Sequence, residues 1–244
     1  MRYRRTPILL LLLRCAVPTN ATAQSSMPDH AAHEAMAGTM AASPHMRMSP
    51  SRPRTVADSA RAMAIADTLR RALMKYADPS AAELDGFKLF APKVKDQKVF
   101  HYTKWSNAVG EAIRFNPSKP TSILYKKDSA GHWKIVGAMY TMPKRASADD
   151  LDQRVPLSVT QWHLHTNICA PKRGEEARTA ESRNGKPLFG VNGTIVTKAE
   201  CQAAGGRWWE TLFGWMVHAN VFEGTDLATV WGHEEHDEHG GHRN

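Results

Sequence analysis

The sequence predicts an α+β domain built around a mainly antiparallel sheet, with one helix at its start and one short helix before its last strand. Two observations predict this class. An apolar stripe at helical spacing is followed by five strand-like runs, and a hairpin loop separates two of those runs. We expect a single globular domain over residues 55–231, preceded by a leader and flanked by two disordered tails rich in histidine.

The first 23 residues have the pattern of a cleavable signal peptide. Arginines at positions 2, 4 and 5 precede an apolar run over residues 8–13, and Ala21-Thr22-Ala23 has the small-x-small form that signal peptidase cleaves. The apolar run is shorter than the roughly 20 residues that span a bilayer. We therefore expect a periplasmic or secreted protein with no stable membrane insertion after cleavage.

The net charge argues against a nucleic-acid partner. The formal charge of +8 falls to +4 when the four leader arginines are removed, since the leader has no acidic residue. A net charge this small is not typical of a protein that binds a phosphate backbone. The partner that the sequence does suggest is a metal ion.

Two segments outside the predicted domain are biased towards metal-binding side chains. Residues 24–54 lack aromatic residues and hold five of the eleven methionines, so we expect a disordered Met/His-rich linker. Residues 232–244 form a second, His/acid-rich tail. Thioethers favour Cu(I) and imidazoles favour Cu(II). The candidate capture residues are His30, His33, Met46, Met48, His233, His236, His239 and His242. The alternative is a pair of solvated segments whose composition has no role.

The elements of the domain follow from local signals. A capping box at Thr55 and Asp58 predicts a helix start, and Ile65, Leu69 and Leu73 recur at helical spacing until Asp78-Pro79. Strand-like runs cover residues 99–105, 122–126, 132–142, 159–165 and 212–222, with a hairpin loop at 127–131. A second capping box, at Thr197 and Glu200, places a short helix around Cys201.

The sharpest chemical feature is the His163-Leu164-His165 run. Alternate strand residues share a face about 7 Å apart, so both imidazoles point the same way, while Trp162 and Leu164 point to the other side. In the last predicted strand, His218 lies opposite an apolar face. His101 is a further candidate from the first strand.

Three or four imidazoles inside a sheet are a ligand set used for copper, zinc or non-haem iron. The predicted metal ligands are His163, His165, His218 and His101, and the biased tails favour copper over zinc or iron. The alternative is that each is an ordinary hydrogen-bonded core or surface histidine.

Two cysteines remain after the leader, Cys169 and Cys201. An even pair in an oxidising compartment predicts a disulfide, and the loop of about 30 residues that it closes would contribute roughly 3 to 4 kcal/mol to stability. The alternative is a thiolate metal site with Met216 as a weak axial ligand.

The leading functional hypothesis is an extracytoplasmic metal-binding protein, most specifically one that binds or handles copper. One alternative is a metal-dependent oxygenase or hydrolase that uses the same histidines, with Glu223 or Asp226 as the base. Another is a metal-free module that holds an apolar molecule against Trp105 and Trp215. The sequence has no nucleophile elbow, HExxH helix or phosphate-binding glycine loop.

Several segments resemble a family of secreted bacterial proteins of unassigned function. They include Asn116-Pro117, Ile123-Leu124-Tyr125, the run from Val136 to Tyr140, Trp162-His163-Leu164-His165, and the stretches 197–208 and 215–218. The resemblance implies a shared fold and no particular activity. The Met/His-rich segment is similar in composition to the leaders of extracytoplasmic copper-handling proteins.

Overall fold

The computed structural model describes residues 43–92 and 97–232, and its centre is a seven-stranded antiparallel sheet. The α+β class is therefore confirmed. The strands are β1 (Met46–Met48), β2 (Lys88–Leu89), β3 (Phe100–Thr103), β4 (Ser122–Lys127), β5 (Trp133–Met142), β6 (His163–Ala170) and β9 (Arg207–Ala219), with β7 (Ser182–Arg183) and β8 (Lys186–Pro187) forming a separate hairpin. The order across the large sheet is β1-β6-β9-β5-β4-β3-β2.

Six α-helices accompany the sheet in the described part of the chain. They are α1 (Val56–Leu73), α2 (Pro79–Leu84), α3 (Trp105–Ile113), α4 (Ala148–Arg154), α5 (Lys198–Ala203) and α6 (Leu227–Trp231). Short 3₁₀ turns cover Met74–Tyr76 and Glu176–Ala180.

The first helix follows the predicted pattern. Thr55 accepts a hydrogen bond from the Asp58 backbone, and the Asp58 side chain accepts one in return from the Thr55 backbone, which forms the capping box. Ile65, Leu69 and Leu73 are buried on the helix stripe. Full burial of such an aliphatic side chain contributes about 1.5–3 kcal/mol, so this stripe fixes α1 on the sheet.

The main core lies on one face of the sheet. Leu164 of β6 and Trp162 just before this strand point into it, as predicted, together with Trp215 and Val217 of β9. Trp231 of α6 is also fully buried there. The alternation of β6 therefore sends His163 and His165 to the opposite face.

Several predicted bounds are wrong. The run over residues 99–105 ends as a strand at Thr103, and Trp105 instead opens the unpredicted helix α3. The sixth strand begins at His163, because Val159 and Thr160 belong to a turn whose amides donate to the carbonyl of Pro156. The unpredicted helix α4 precedes that turn.

The linker predicted over residues 24–54 is wrong at its C-terminal end. Met46–Met48 is strand β1, which pairs with β6. The Ser49 amide donates to the Trp162 carbonyl at 2.7 Å, and the Thr166 amide donates to the His45 carbonyl at 2.9 Å. A strand of three residues has no sequence signal of its own here, because its stability comes from the exposed edge that β6 offers.

The sheet is strongly curled around its second face. The rings of His101 in β3 and His218 in β9 have centroids 5.8 Å apart, although β4 and β5 separate their strands. In a flat sheet, strands three positions apart are about 14 Å from each other. Phe90, next to the β3 edge, likewise contacts Phe213 of β9 with ring centroids 5.5 Å apart. We call this second face the concave face.

None of the helices in residues 43–92 and 97–232 is long and apolar enough to cross a membrane.

Candidate functional site

The four predicted histidine ligands all lie on the concave face and form a continuous row of rings. His101 neighbours His218, His218 neighbours His163, and His163 neighbours His165, with centroid separations of 5.8, 5.3 and 5.5 Å. They come from β3, β9 and β6. The structure therefore brings together residues that are up to 117 positions apart in the sequence.

His163 is at the centre of this row and is the most enclosed member. It is only 3% exposed, whereas His101, His165 and His218 are half-buried. Its ring meets those of His218 and His165 edge to face, at interplanar angles of 80° and 78°. A single ion shared by two of these rings would require them to turn about χ2, a torsion with a broad profile in histidine.

The floor of the concave face is apolar. Leu124, Val136, Met139 and Met216 form a buried cluster there, and Val99 packs against it. The histidines therefore lie above an apolar floor formed by side chains of β4, β5 and β9. Low local dielectric strengthens any interaction between the imidazoles and a cation.

Strand β1 adds two methionines to the same face. Met46 lies opposite His165 and Met48 lies opposite His163 in the antiparallel register. Directly opposite residues of antiparallel strands share a face, with Cβ atoms about 4.5–5.5 Å apart. Both methionines were predicted as capture residues of a disordered linker, and the structure instead makes them neighbours of the predicted ligands.

In this structure the four histidine rings contact one another in a row and do not converge on one point. No group of three or more His, Cys, Asp or Glu side chains among residues 43–92 and 97–232 is arranged so that it could hold a metal ion. The thioethers of Met139 and Met216 are further potential donors on the concave face. The predicted capture residues His30, His33, His233, His236, His239 and His242 lie outside the described residues.

Cys169 and Cys201 form a disulfide, as predicted, so the alternative of a thiolate metal site is wrong. Their Cα atoms are 5.5 Å apart, and the bond joins the end of β6 to α5. The two cysteines pack with Phe189 and Ile195 in a small apolar cluster of their own. The bridge therefore braces the far end of β6 without supplying a ligand to the histidine row.

The two acidic residues considered for the enzyme hypothesis have structural partners. Glu223 pairs with Lys134 at 3.0 Å, and Asp226 caps α6 by accepting from the Thr229 backbone amide. The Asp226 backbone contact with Thr229 lowers the pKa of that carboxyl. Neither contact directs a carboxylate to the concave face.

The two tryptophans of the ligand-module hypothesis do not share an interior. Trp105 is 61% exposed on α3, while Trp215 is buried in the main core. A half-open cleft of about 1250 Å³ does exist beside α3, and its lining includes Lys75, Lys104 and Arg114. None of the four histidines lines it.

Glu111 is a buried acid that the sequence reasoning missed. It is 3% exposed on α3, and its Oε2 accepts hydrogen bonds from Thr121 Oγ1 at 2.6 Å and from the Thr141 amide at 2.7 Å. Burial raises the pKa of the Glu111 carboxyl to about 7, although these hydrogen bonds lower it. The apolar residues at helical spacing on α3 are exposed. An apolar stripe usually marks the buried face of a helix, so the sequence pattern predicts that Glu111 faces solvent.

His45 was also missed, since it was counted only as part of the linker composition. It is 4% exposed, and its ring nitrogens lie 3.0 Å from the Asn167 carbonyl oxygen and 2.6 Å from that of Gly193. These contacts anchor the residue just before β1. The buried His45 ring therefore holds in place the strand that carries Met46 and Met48.

No family model, no curated protein and no solved structure matches the chain.

Proposed function

We propose that this chain is an extracytoplasmic copper-binding protein in which His163, with His165 and His218 as neighbours, holds the ion on the concave face. The observation that carries the proposal is the spacing of the rings around His163, 5.3 Å to His218 and 5.5 Å to His165. Because an imidazole nitrogen binds a metal at about 2 Å, two rings that share one ion have centroids about 5–6 Å apart. Two rings at this spacing reach one ion once they turn about χ2, since they now meet edge to face.

The chemistry of the surroundings favours copper over zinc or iron. Imidazole suits all three metals, whereas thioethers suit copper in its reduced state. Met139 and Met216 lie in the apolar floor beneath the histidines. The two tails add further imidazoles and thioethers, which we propose act as capture segments that raise the local copper concentration.

The extracytoplasmic location rests on the leader pattern in residues 1–23 and agrees with the disulfide between Cys169 and Cys201. Disulfides persist in oxidising compartments and are rare in the cytosol.

The test is a copper titration of the full chain without its leader. Truncation at residue 55 is avoided, since it would delete β1. To separate the concave face from the tails, asparagine first replaces the tail histidines His30, His33, His233, His236, His239 and His242. We expect this background to bind about one Cu(II) ion per chain, as measured by isothermal titration calorimetry. Its electron paramagnetic resonance spectrum should show nitrogen ligands on the copper.

The matched pair of variants is His163→Asn and His132→Asn. His132 lies in the β4–β5 loop and its side chain is 79% exposed, so its loss removes an imidazole without touching the concave face. Copper affinity should fall at least about tenfold in the first variant and stay unchanged in the second. Absence of stoichiometric copper in the tail-substituted background, or equal affinity in both variants, would refute the proposal.

A further inference from the structure

Three histidines of the concave face, His163, His165 and His218, each lie opposite a methionine on a neighbouring strand. Met46 lies opposite His165, Met48 opposite His163, Met216 opposite His163, and Met139 opposite His218. These are the directly opposed positions of antiparallel strands, where side chains are in reach of one another. The pairing involves three separate strand interfaces, β1 with β6, β6 with β9, and β9 with β5.

His163 has a methionine on each side. Met48 approaches it from β1 and Met216 from β9, so one imidazole and two thioethers stand in a row across three adjacent strands. Met216 is 6% exposed and His163 is 3% exposed, while Met48 is half-buried at the sheet edge. Such a set of soft and borderline donors, two of the three buried, has the ligand chemistry that Cu(I) prefers.

We infer that the concave face is a Cu(I) site in which the thioethers of Met48 and Met216 join the His163 imidazole as ligands. The inference rests on the proposed function and adds the oxidation state and the sulfur ligands. It also gives β1 a role, because this strand carries Met48 and is fastened by the buried ring of His45. Docking of β1 completes the ligand set.

The competing account is that the methionines only fill space. Methionine is flexible and is a common filler of irregular cores. Met142 offers the matched control, since it is 5% exposed and lies on β5 but points into the main core. Exchange of methionine for leucine nearly conserves side-chain volume, so it removes the sulfur and keeps the packing.

The experiment uses the full leaderless chain in the tail-substituted background, with leucine also at Met27, Met36 and Met40. Cu(I) is titrated anaerobically against a colorimetric Cu(I) chelator, and Cu(II) is titrated separately. The Met48→Leu/Met216→Leu double variant should lose at least about tenfold in Cu(I) affinity, with Cu(II) affinity unchanged. Met142→Leu should change neither. X-ray absorption of the Cu(I) form of the parent should show sulfur scatterers.

The outcomes separate the two proposals. If Cu(II) binds and requires His163, while Cu(I) affinity is equal in the double variant and the parent, the methionines are packing residues and this inference is overturned. If neither oxidation state binds the tail-substituted chain, the proposed function fails as well. The absorption spectrum of the parent needs no variant, so an absence of sulfur scatterers overturns the inference even if the double variant does not fold.

Discussion

Replacement of Glu111 by glutamine should stabilise the protein at neutral and alkaline pH. Burial raises the pKa of this carboxyl to about 7 in the folded state, from the ordinary glutamate value of 4.5. Well below pH 4.5 the group is protonated in both the folded and the unfolded chain, so its burial does not change the folding stability. As the pH rises through 4.5 the unfolded chain releases its proton first, so folding stability falls until the folded group also ionises near pH 7.

The size of the effect follows from the difference between the two pKa values. Each unit corresponds to about 1.4 kcal/mol, so the full loss is about 3 kcal/mol, and about 2.5 kcal/mol of it falls between pH 5 and pH 8. Glutamine keeps an oxygen that can accept from the Thr141 amide and has no charge to bury. It therefore mimics the protonated acid across this range.

The assay is urea unfolding at pH 5, 6, 7 and 8, followed by tryptophan fluorescence with the disulfide intact. Other groups also titrate, so the informative quantity is the stability of Glu111→Gln minus that of the parent at each pH. This difference should grow by about 2.5 kcal/mol from pH 5 to pH 8. Glu83→Gln, an exposed glutamate on α2, should show no such growth. A flat difference for Glu111→Gln would mean that the carboxylate is hydrated in the folded protein.

Three further predictions test the fold around the site. Alanine at both Cys169 and Cys201 should lower the free energy of unfolding by about 4 kcal/mol, since the bridge spans 32 positions, and denaturant midpoints of the variant and the parent measure this. His45→Ala should cost about 1–3 kcal/mol and speed proteolysis before β1, because a backbone carbonyl beside the ring loses the imidazole N–H that donates to it; equal cleavage rates would contradict this role of His45. Gly137→Ala should unfold the protein or nearly so, as its Cβ would overlap a β9 carbonyl oxygen, whereas Gly110→Ala on α3 meets nothing within 4 Å and should raise the melting temperature slightly.

Local chemistry made part of the fold predictable. The capping boxes at Thr55 and Thr197 are formed as the sequence indicates, because their hydrogen bonds involve residues three positions apart. The β4–β5 hairpin is likewise confirmed, with Asp128 closing the turn. The alternation around His163 predicted correctly which side chains share its face.

Elements that depend on distant partners were not predictable in this way. Strand β1 exists because β6 offers it an edge. Helix α3 buries Glu111 and exposes Trp105, which inverts the usual amphipathic signal. Strand β9 begins earlier than expected, and the register between β6 and β9 shifts near Phe213, whose φ is +65°. No local sequence pattern here predicts a β-bulge at this position.

The candidate site was predictable in its members and not in its shape. Strand periodicity placed His163, His165 and His218 on inward faces and left His101 as a further candidate. Their distances depend on the curl of the sheet, which brings β3 and β9 together across two intervening strands. The methionine partners could not be paired with the histidines without the register, and Met48 was assigned to a disordered segment.

The position of β1 at the edge of the sheet has a consequence for how this protein would fail. Its three residues satisfy backbone groups of β6 over His163 to His165 that would otherwise be open to solvent. An open edge is a template on which a second chain can add a strand. A protease cut or a mutation that releases β1 would thus expose the unpaired backbone groups of β6 beside the histidines. The damaged protein would then self-associate through β6 before its main core unfolds.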